Sequence, residues 1–196
     1  FNNPSIVLAL DGYDEERREI NSYYKANRSG NDDIKVAVRG AVDDIVKMAK
    51  LLPNMYVCHD SSYEADDCIH SISNSILSLC SKNKVKKSVY ILSNDKDMFQ
   101  LVRDNEYATI HIIRKLSFGR NWKSSSDIVD EGVVRESFNG VSPKDLVKFR
   151  AIVGDSSDNL RGYYRFLKSK ASEIAINFEY DLEKKQLIQK EGSLLN

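Results

Sequence analysis

The chain lacks the features that define several large classes of protein. None of its apolar runs approaches the roughly 20 residues that a membrane-spanning helix needs. Its start, Phe1-Asn2-Asn3-Pro4, does not have the form of a secretory signal. Its three cysteines and three histidines have no zinc-ligand spacing. We therefore expect reduced, mostly buried thiols, structural histidines and a location in the cytoplasm.

Three acidic clusters each stand at the end of an apolar element: Tyr63-Glu64-Ala65-Asp66-Asp67, Asp95-Lys96-Asp97 and Asp155-Ser156-Ser157-Asp158. Carboxylates repel one another, so gathering many in one cleft is costly unless cations lie among them. Hard divalent ions such as Mg²⁺ or Mn²⁺ bind carboxylate and water oxygens. A single cluster also fits helix capping, as Ser61-x-x-Glu64 does in a capping box. The three clusters together favour a metal site.

Four segments occur in one order along the chain: Tyr23-Tyr24-Lys25-Ala26-Asn27-Arg28, Tyr63 to Asp67, Ser93-Asn94-Asp95-Lys96-Asp97-Met98 and Gly154 to Leu160. In sequence and spacing they resemble the motifs of the 5′→3′ exonuclease domain of bacterial DNA polymerase I and of phage flap endonucleases. The resemblance runs from about Ile6 to about Phe178. It implies hydrolysis of DNA phosphodiester bonds on 5′-flap, branched or 5′-ended substrates, with two Mg²⁺ or Mn²⁺ ions.

The resemblance also implies roles for individual residues. Lys25 and Arg28 meet the scissile phosphate, Arg17 and Tyr24 contact DNA, and a helical arch extends over about residues 24–50. Independently of the resemblance, the charge pattern of Asp14 to Arg28 fits a solvated helix with ion pairs, on which Lys25 and Arg28 share one face. The implied metal ligands, divided between the two ions in an undetermined way, are Asp11, Glu64, Asp66, Asp67, Asp95, Asp97, Asp155 and Asp158.

The net charge is zero, with 29 basic and 29 acidic residues, which at first argues against a nucleic-acid partner. Setting aside the eight candidate metal ligands leaves 29 basic residues against 21 acidic ones. A surface with that surplus is basic enough to follow a phosphate backbone once cations neutralise the acidic cleft. The charge balance is therefore compatible with DNA binding.

The hydrophobic pattern predicts strands alternating with helices in the first part of the chain. Strands are expected at Ser5 to Leu10, Met55 to His59, Ser88 to Leu92 and Ala108 to Ile113, with a helix from Tyr63 to Cys80. The arch helix carries apolar packing residues at helical spacing: Ile34, Val38, Val42, Ile45 and Val46. The pattern predicts an α/β class with a doubly wound, mainly parallel sheet flanked by helices and occupying residues 1–123. The resemblance implies that this fold is PIN-like.

Residues 124–196 are predicted to form a wholly helical DNA-binding module, with a helix-forming tail from Leu182. Ser142-Pro143 begins a helix that Gly154 closes. The resemblance places a helix–three-turn–helix at about residues 142–178. Its glycine hairpin is replaced here by Arg165 and Leu167, which makes a K⁺ ion at this module doubtful. The expected DNA contacts are Arg161, Gly162, Arg165, Lys168 and Lys170.

The resembling family has a strand before Ser5 that carries a first metal-binding aspartate, so we expect this sequence to be a fragment of a longer protein. The protein is expected to act as a monomer, with a DNA polymerase as a possible fused or associated partner. Two other hypotheses remain open at this stage. One is a PIN-type ribonuclease that acts on single-stranded RNA. The other is a non-catalytic relative that binds DNA structures.

Overall fold

A computed structural model of the chain describes residues 4–12, 15–26, 32–114, 127–163, 167–181 and 183–190. The chain folds as two compact units, Phe1–Ile72 with Ser156–Leu160 and Ser73–Asp155 with Arg161–Asn196. The predicted division between residues 123 and 124 falls outside the described residues and stays a prediction.

The first unit contains a parallel strand pair. Strand β1 (Ile6–Leu10) pairs with β2 (Met55–His59), so that Ile6 lies opposite Met55 and Leu10 opposite His59. Helices α1 (Glu15–Ile20) and α2 (Asp32–Ala49) lie between the two strands in sequence, and α3 (Ala65–Asn83) follows them. A parallel pair needs a crossover of this length, and both predicted strands are confirmed.

The prediction of one helix from Asp14 to Arg28 is wrong within the described residues. Helix α1 ends at Ile20, and a turn occupies residues 22–26. The Asn21 side chain accepts a hydrogen bond from the Tyr23 N–H at 3.0 Å, a local bond that competes with helix continuation. Lys25 has a φ of 54°, in the left-handed region. Lys25 therefore lies in a tight turn, while Arg28 lies outside the described residues.

The second unit contains a mixed four-stranded sheet. Strand β3 (Lys87–Leu92) pairs in parallel with β5 (Ala108–Arg114), whereas β4 (Arg103–Asp104) and β6 (Asp127–Val129) are antiparallel to β5. A 3₁₀ helix, Lys96–Leu101, follows β3 and begins directly after Asp95. Alternate residues of β5 are buried, as expected for a strand that is covered on one face.

The helices of the second unit pack around an aromatic core. Helix α4 (Glu131–Ser137) is followed by a 3₁₀ turn at Pro143–Asp145 and by α5 (Leu146–Val153). The rings of Phe99 and Phe149 each contact Phe138 edge-on, at centroid distances of 6.2 and 5.7 Å. Such edge-to-face pairs stabilise the fold by about 0.5–1.5 kcal/mol beyond the contribution of burying the rings. Gly154, with a φ of 76°, ends α5 as predicted.

The prediction that the chain is wholly helical after Ser124 is wrong. Besides β6, the short strands β7 (Gly154–Asp155) and β8 (Leu160–Arg161) precede α6 (Lys168–Asn177). Within the described residues 183–190, the predicted helical tail is instead the second half of a hairpin, in which β10 (Gln186–Gln189) pairs with β9 (Phe178–Asp181). Asp181 accepts the backbone N–H groups of Glu183 and Lys184 at 2.9 Å, and these bonds favour a turn over a helix.

The apolar residues of α2 depart in part from the packing expectation. Val42 and Val46 are half-buried, whereas Ile34, Val38 and Ile45 are more than half exposed. Helical spacing predicts which residues share a face, but it carries no information on whether another element covers that face.

Among the described residues, no helix is long and apolar enough to cross a membrane.

Candidate active site

The first unit brings Glu64 and Asp67 together around one arginine. Arg17 Nη1 donates to Glu64 Oε2 at 2.9 Å, and Arg17 Nη2 donates to Asp67 Oδ1 at 2.6 Å. Glu64 directly precedes α3, and Asp67 accepts the Glu64 backbone N–H at 3.1 Å. This bond is one half of a capping box. The helix start therefore fixes the spacing of the two carboxylates, and the predicted Ser61–Glu64 capping box is wrong because Glu64 points its carboxylate at the cations.

Tyr24 and Lys25 complete the surroundings of Glu64. The Tyr24 hydroxyl donates to Glu64 Oε2 at 3.0 Å, and Lys25 Nζ donates to Glu64 Oε1 at 2.6 Å. The Lys25 ammonium also lies 4.9 Å from the centroid of the Tyr24 ring. Because Tyr24 is only 7% exposed, it supports the carboxylate in this conformation and offers little ring surface to a nucleic-acid base.

These contacts shift the pKa values of both partners. Burial opposes ionisation of Glu64, but the hydrogen bond and charge of Lys25 outweigh it and lower the pKa of Glu64. Burial likewise opposes the charge on Lys25, but the bond to Glu64 raises the pKa of Lys25. Burial raises the pKa of the Tyr24 hydroxyl. Glu64 is therefore a carboxylate and Lys25 an ammonium group at neutral pH.

Segment Ser156–Leu160 holds the Lys25 turn in place. The Lys25 backbone N–H donates to the Asp158 carbonyl at 3.0 Å, and the Asn159 amide donates to the Tyr23 carbonyl at 2.9 Å. A lysine with positive φ costs free energy, and such strain persists where the surroundings enforce it. Two long-range hydrogen bonds thus fix the position of Lys25.

Asp11 directly follows β1, and its carboxylate accepts a hydrogen bond from the N–H of Ala65, the first residue of α3, at 2.9 Å. The next residue, Gly12, donates its N–H to the Tyr63 carbonyl at 2.8 Å. A Cβ on Gly12 would overlap the Asp60 and Tyr63 carbonyl oxygens, so this close approach requires glycine. The first unit therefore contains Asp11, the Glu64–Asp67 cluster and the backbone of Asp158, and Asp66 lies half-buried in the first turn of α3.

The second unit contains a similar arrangement, in which one arginine contacts two carboxylates. Arg150 Nη2 contacts Asp97 Oδ1 at 2.7 Å, and Arg150 Nη1 contacts Asp155 Oδ2 at 3.3 Å. Asp95 caps the 3₁₀ helix by accepting the Asp97 N–H at 2.9 Å. Asp97 thus projects from the first turn of that helix, while Asp155 directly follows the glycine that ends α5.

Arg150 was missed by the sequence interpretation. Its signal is a charged residue in the apolar stretch Phe149-Arg150-Ala151-Ile152-Val153, immediately before the Gly154-Asp155 motif. Long charged residues in such positions are rarely buried without a partner. An acidic partner was therefore inferable, although its identity was not.

The predicted DNA contacts of the second unit include exposed cationic side chains and one glycine that is packed against the backbone. Arg161, Lys168 and Lys170 are exposed, and Lys170 pairs with Glu173 at 2.8 Å. A Cβ on Gly162 would overlap the backbone of Val153, so this glycine has a packing reason of its own. Arg165 lies outside the described residues. The DNA-binding roles of all five residues stay predictions.

The carboxylate pairs fit a hard divalent ion. Among the described residues, no group of three or more His, Cys, Asp or Glu side chains is arranged to hold a metal by itself. Mg²⁺, however, is bound through one or two carboxylates, with waters and substrate phosphates completing its octahedron. Glu64 with Asp67, and Asp97 with Asp155, each supply two such oxygen ligands around a position that a guanidinium occupies. The donor chemistry therefore suits Mg²⁺ or Mn²⁺.

Comparison with known proteins identifies the family. Residues 1–139 match the family model of the 5′-3′ exonuclease N-terminal resolvase-like domain. The chain belongs to this family, which confirms the predicted resemblance.

Individual relatives extend the match beyond residue 139. A 5′-3′ exonuclease of Mycoplasmopsis pulmonis is 30% identical over 191 residues, which is 93% of this chain and 54% of the relative. A 5′-3′ exonuclease of Buchnera aphidicola is 30% identical over 166 residues, which is 82% of this chain and 49% of the relative. DNA polymerase I of Synechocystis is 29% identical over 196 residues, which is 97% of this chain and 18% of the polymerase. The chain thus spans about half the length of the two exonucleases.

Solved structures establish the fold. The bacteriophage T5 flap endonuclease, crystallised as a pseudo-enzyme-product complex with DNA and metal ions, superposes with a TM-score of 0.64 at 20% identity, covering 87% of this chain and 58% of that protein. The T5 5′-exonuclease with divalent zinc ions bound gives a TM-score of 0.65 at 21% identity, covering 87% and 59%. The predicted PIN-like α/β fold is therefore confirmed.

Proposed function

We propose that this chain is the nuclease part of a structure-dependent 5′→3′ exonuclease and flap endonuclease that hydrolyses DNA phosphodiester bonds. Family membership supports the reaction class. The observation that carries the proposal is the pair of cation-bridged carboxylate sets, Glu64 with Asp67 and Asp97 with Asp155. Two carboxylates that converge on one cation are costly for folding and useful for binding a divalent ion.

The ligands are proposed to serve two Mg²⁺ or Mn²⁺ ions. Asp11, Glu64, Asp66 and Asp67 would hold one ion, and Asp95, Asp97, Asp155 and Asp158 the other, directly or through water. Ions held by these residues would supply Lewis-acid chemistry, to activate a water molecule and to stabilise the leaving oxygen. The neighbours bound to zinc and to other metal ions support this assignment by analogy. K⁺ at the helix–three-turn–helix stays doubtful.

Lys25 is proposed to stabilise charge on the scissile phosphate, together with Arg28. Because its pKa is raised, Lys25 keeps its proton at neutral pH and acts as a cation rather than as a general base. Its enforced left-handed backbone supports a fixed position for the ammonium group. Arg17, which spans Glu64 and Asp67, belongs to the same cluster.

The DNA is proposed to be held as a 5′-flapped, branched or 5′-ended duplex. The exposed cations Arg161, Lys168 and Lys170, with Arg165, would contact the duplex phosphates in place of a glycine hairpin. The proposed division is a nuclease core at residues 1–123, with the arch at about 24–50, and a DNA-binding module at 124–196. The polymerase I relative supports a fused or associated polymerase. We further propose a monomer that acts on DNA in the cytoplasm of a bacterial or phage-infected cell.

A cleavage assay tests the function. The protein is incubated with a 5′-labelled flap duplex in Mn²⁺, in Mg²⁺ and in EDTA, and single-stranded RNA of equal length serves as a competitor. We expect metal-dependent release of the 5′ strand and little competition by RNA. Preferential RNA cleavage would favour the PIN-type ribonuclease. Tight flap binding without cleavage in either metal would favour a non-catalytic DNA-structure-binding protein.

A further inference from the structure

Each unit of the structure uses a single arginine to bridge two carboxylates. Arg17 spans Glu64 and Asp67 in the first unit. Arg150 spans Asp97 and Asp155 in the second, at 2.7 and 3.3 Å. In both cases the guanidinium contacts carboxylates that the proposed function assigns to a divalent ion.

Arg150 is the clearer case because its surroundings are well defined. Its side chain is 28% exposed, and those of Asp97 and Asp155 are 31% and 14% exposed. Its Nε is buried and has no hydrogen-bond partner. A buried N–H without a partner is unfavourable. The contacts of its two terminal nitrogens with the carboxylates therefore hold the side chain in place, although its buried Nε lacks a hydrogen bond.

We propose that Arg150 is an internal counter-ion that holds Asp97 and Asp155 together in the metal-free protein and competes with the divalent ion for them. The inference rests on the proposed function and assigns a new role to a residue of the same site. Two half-buried carboxylates repel unless a cation lies between them. A metal ion and a guanidinium cannot both occupy the same oxygen lone pairs. Arg150 occupies Asp97 Oδ1 and Asp155 Oδ2, so an ion that binds through these two oxygens would displace it from at least one carboxylate.

The competing account makes Arg150 a scaffold that places the two carboxylates for the metal. The two accounts predict opposite signs. A scaffold increases metal affinity, so its loss weakens binding. A counter-ion occupies the ligands and repels the incoming ion, so its loss tightens binding while the metal-free protein becomes less stable. The sign of the change in Mn²⁺ affinity decides between them.

The experiment is a calorimetric Mn²⁺ titration of the full-length protein without DNA, combined with thermal unfolding in EDTA. Arg150→Gln removes the charge and keeps hydrogen-bonding capacity, and Arg150→Lys restores the charge. Arg135→Gln is the matched control, because Arg135 lies in the same unit but forms an exposed i, i+4 pair with Glu131 at 3.7 Å. Such pairs contribute little.

For Arg150→Gln we expect Mn²⁺ to bind roughly tenfold more tightly, which corresponds to about 1.4 kcal/mol, and the metal-free protein to unfold at a lower temperature. Arg150→Lys is expected to return the affinity to within about threefold of wild type, and Arg135→Gln to leave it unchanged. Unchanged or weaker Mn²⁺ binding by Arg150→Gln overturns the counter-ion role.

If Arg150→Gln is unfolded in EDTA, the same titration is followed by far-UV circular dichroism. Recovery of the fold with Mn²⁺, but not with NaCl at equal ionic strength, supports the counter-ion role, because the metal then replaces the missing charge. Failure to fold at saturating Mn²⁺ overturns it. Neither readout needs DNA cleavage. A wild-type protein that binds no Mn²⁺ would instead contradict the proposed function itself.

Discussion

Asp145 allows a stability prediction whose sign and size come from the structure. The residue is 7% exposed. Its carboxylate accepts hydrogen bonds from Ser142 Oγ at 2.6 Å and Lys190 Nζ at 3.0 Å, and it pairs with Lys148 Nζ at 2.7 Å. Burial opposes ionisation, but these bonds and the charge of Lys148 outweigh it and lower the pKa of Asp145 from 3.8 to about 2.

The lowered pKa means that ionised Asp145 stabilises the fold. A carboxyl group of this kind contributes stability that is complete above its unfolded pKa and is lost as the pH falls through its folded pKa. A difference of nearly two pKa units corresponds to about 2 kcal/mol at pH 7. About half of that contribution is lost by pH 3, between the two pKa values.

Asp145→Asn tests this reasoning by removing the charge while keeping the shape. Urea unfolding at pH 7 is expected to show a loss of about 2 kcal/mol in the free energy of unfolding, narrowing to about 1 kcal/mol at pH 3. Asp44→Asn is the matched control, because Asp44 and Lys47 form the same i, i+3 pair at 3.0 Å on an exposed helix surface and should contribute about 0.5 kcal/mol or less. If the free energies of unfolding of Asp145→Asn and wild type differ by the same amount at pH 7 and pH 3, the argument is refuted.

Three further predictions concern catalysis, packing and DNA affinity. Lys25→Ala should lower the single-turnover cleavage rate by about 10²-fold; a rate within threefold of wild type contradicts its role. Gly162→Ala should lower the free energy of unfolding in urea by about 2 kcal/mol or more, because the added Cβ has no space. Gly40→Ala, in open space on α2, should raise it by about 1 kcal/mol. Equal effects of the two substitutions refute the packing argument. Arg165→Ala with Lys168→Ala should flatten the log–log salt dependence of duplex affinity by about one to two units; coincident slopes exclude these anchors.

Local sequence rules predicted much of the fold. The strands at β1, β2, β3 and β5 follow from runs of apolar and β-branched residues. The positions of the Glu64–Asp67 and Asp95–Asp97 clusters were also predictable, because acidic residues favour the start of helices. Asp67 and Asp95 indeed lie where helices begin.

The features that local rules missed depend on distant partners. The turn that positions Lys25 is held by Asp158 and Asn159, more than 130 residues away. The bond from Lys190 to Asp145 joins residues 45 positions apart and accompanies a terminal hairpin that was predicted as a helix. Such contacts leave no periodic signal in the sequence, because they depend on which elements meet in the folded chain.

Lys25 shows how burial changes an energetic expectation. An exposed lysine in a charged segment contributes little to stability. In the structure the Lys25 side chain is only 12% exposed and contacts Glu64 at 2.6 Å. A hydrogen bond to a charged group contributes about 1.5–3 kcal/mol. We therefore expect Lys25→Ala to lower stability as well as rate, and the rate must be measured on protein verified as folded.

Single-turnover cleavage of a 5′-flap duplex by Asp67→Ala tests the central claim most directly. The full-length variant is compared in Mn²⁺ with wild type and with Glu106→Ala, which replaces an exposed carboxylate outside the site. If Asp67 is a metal ligand, its variant should bind the flap at least as tightly as wild type and cleave it at least about 10³-fold more slowly, while Glu106→Ala cleaves normally. Cleavage by Asp67→Ala near the wild-type rate would contradict the carboxylate-bound metal site.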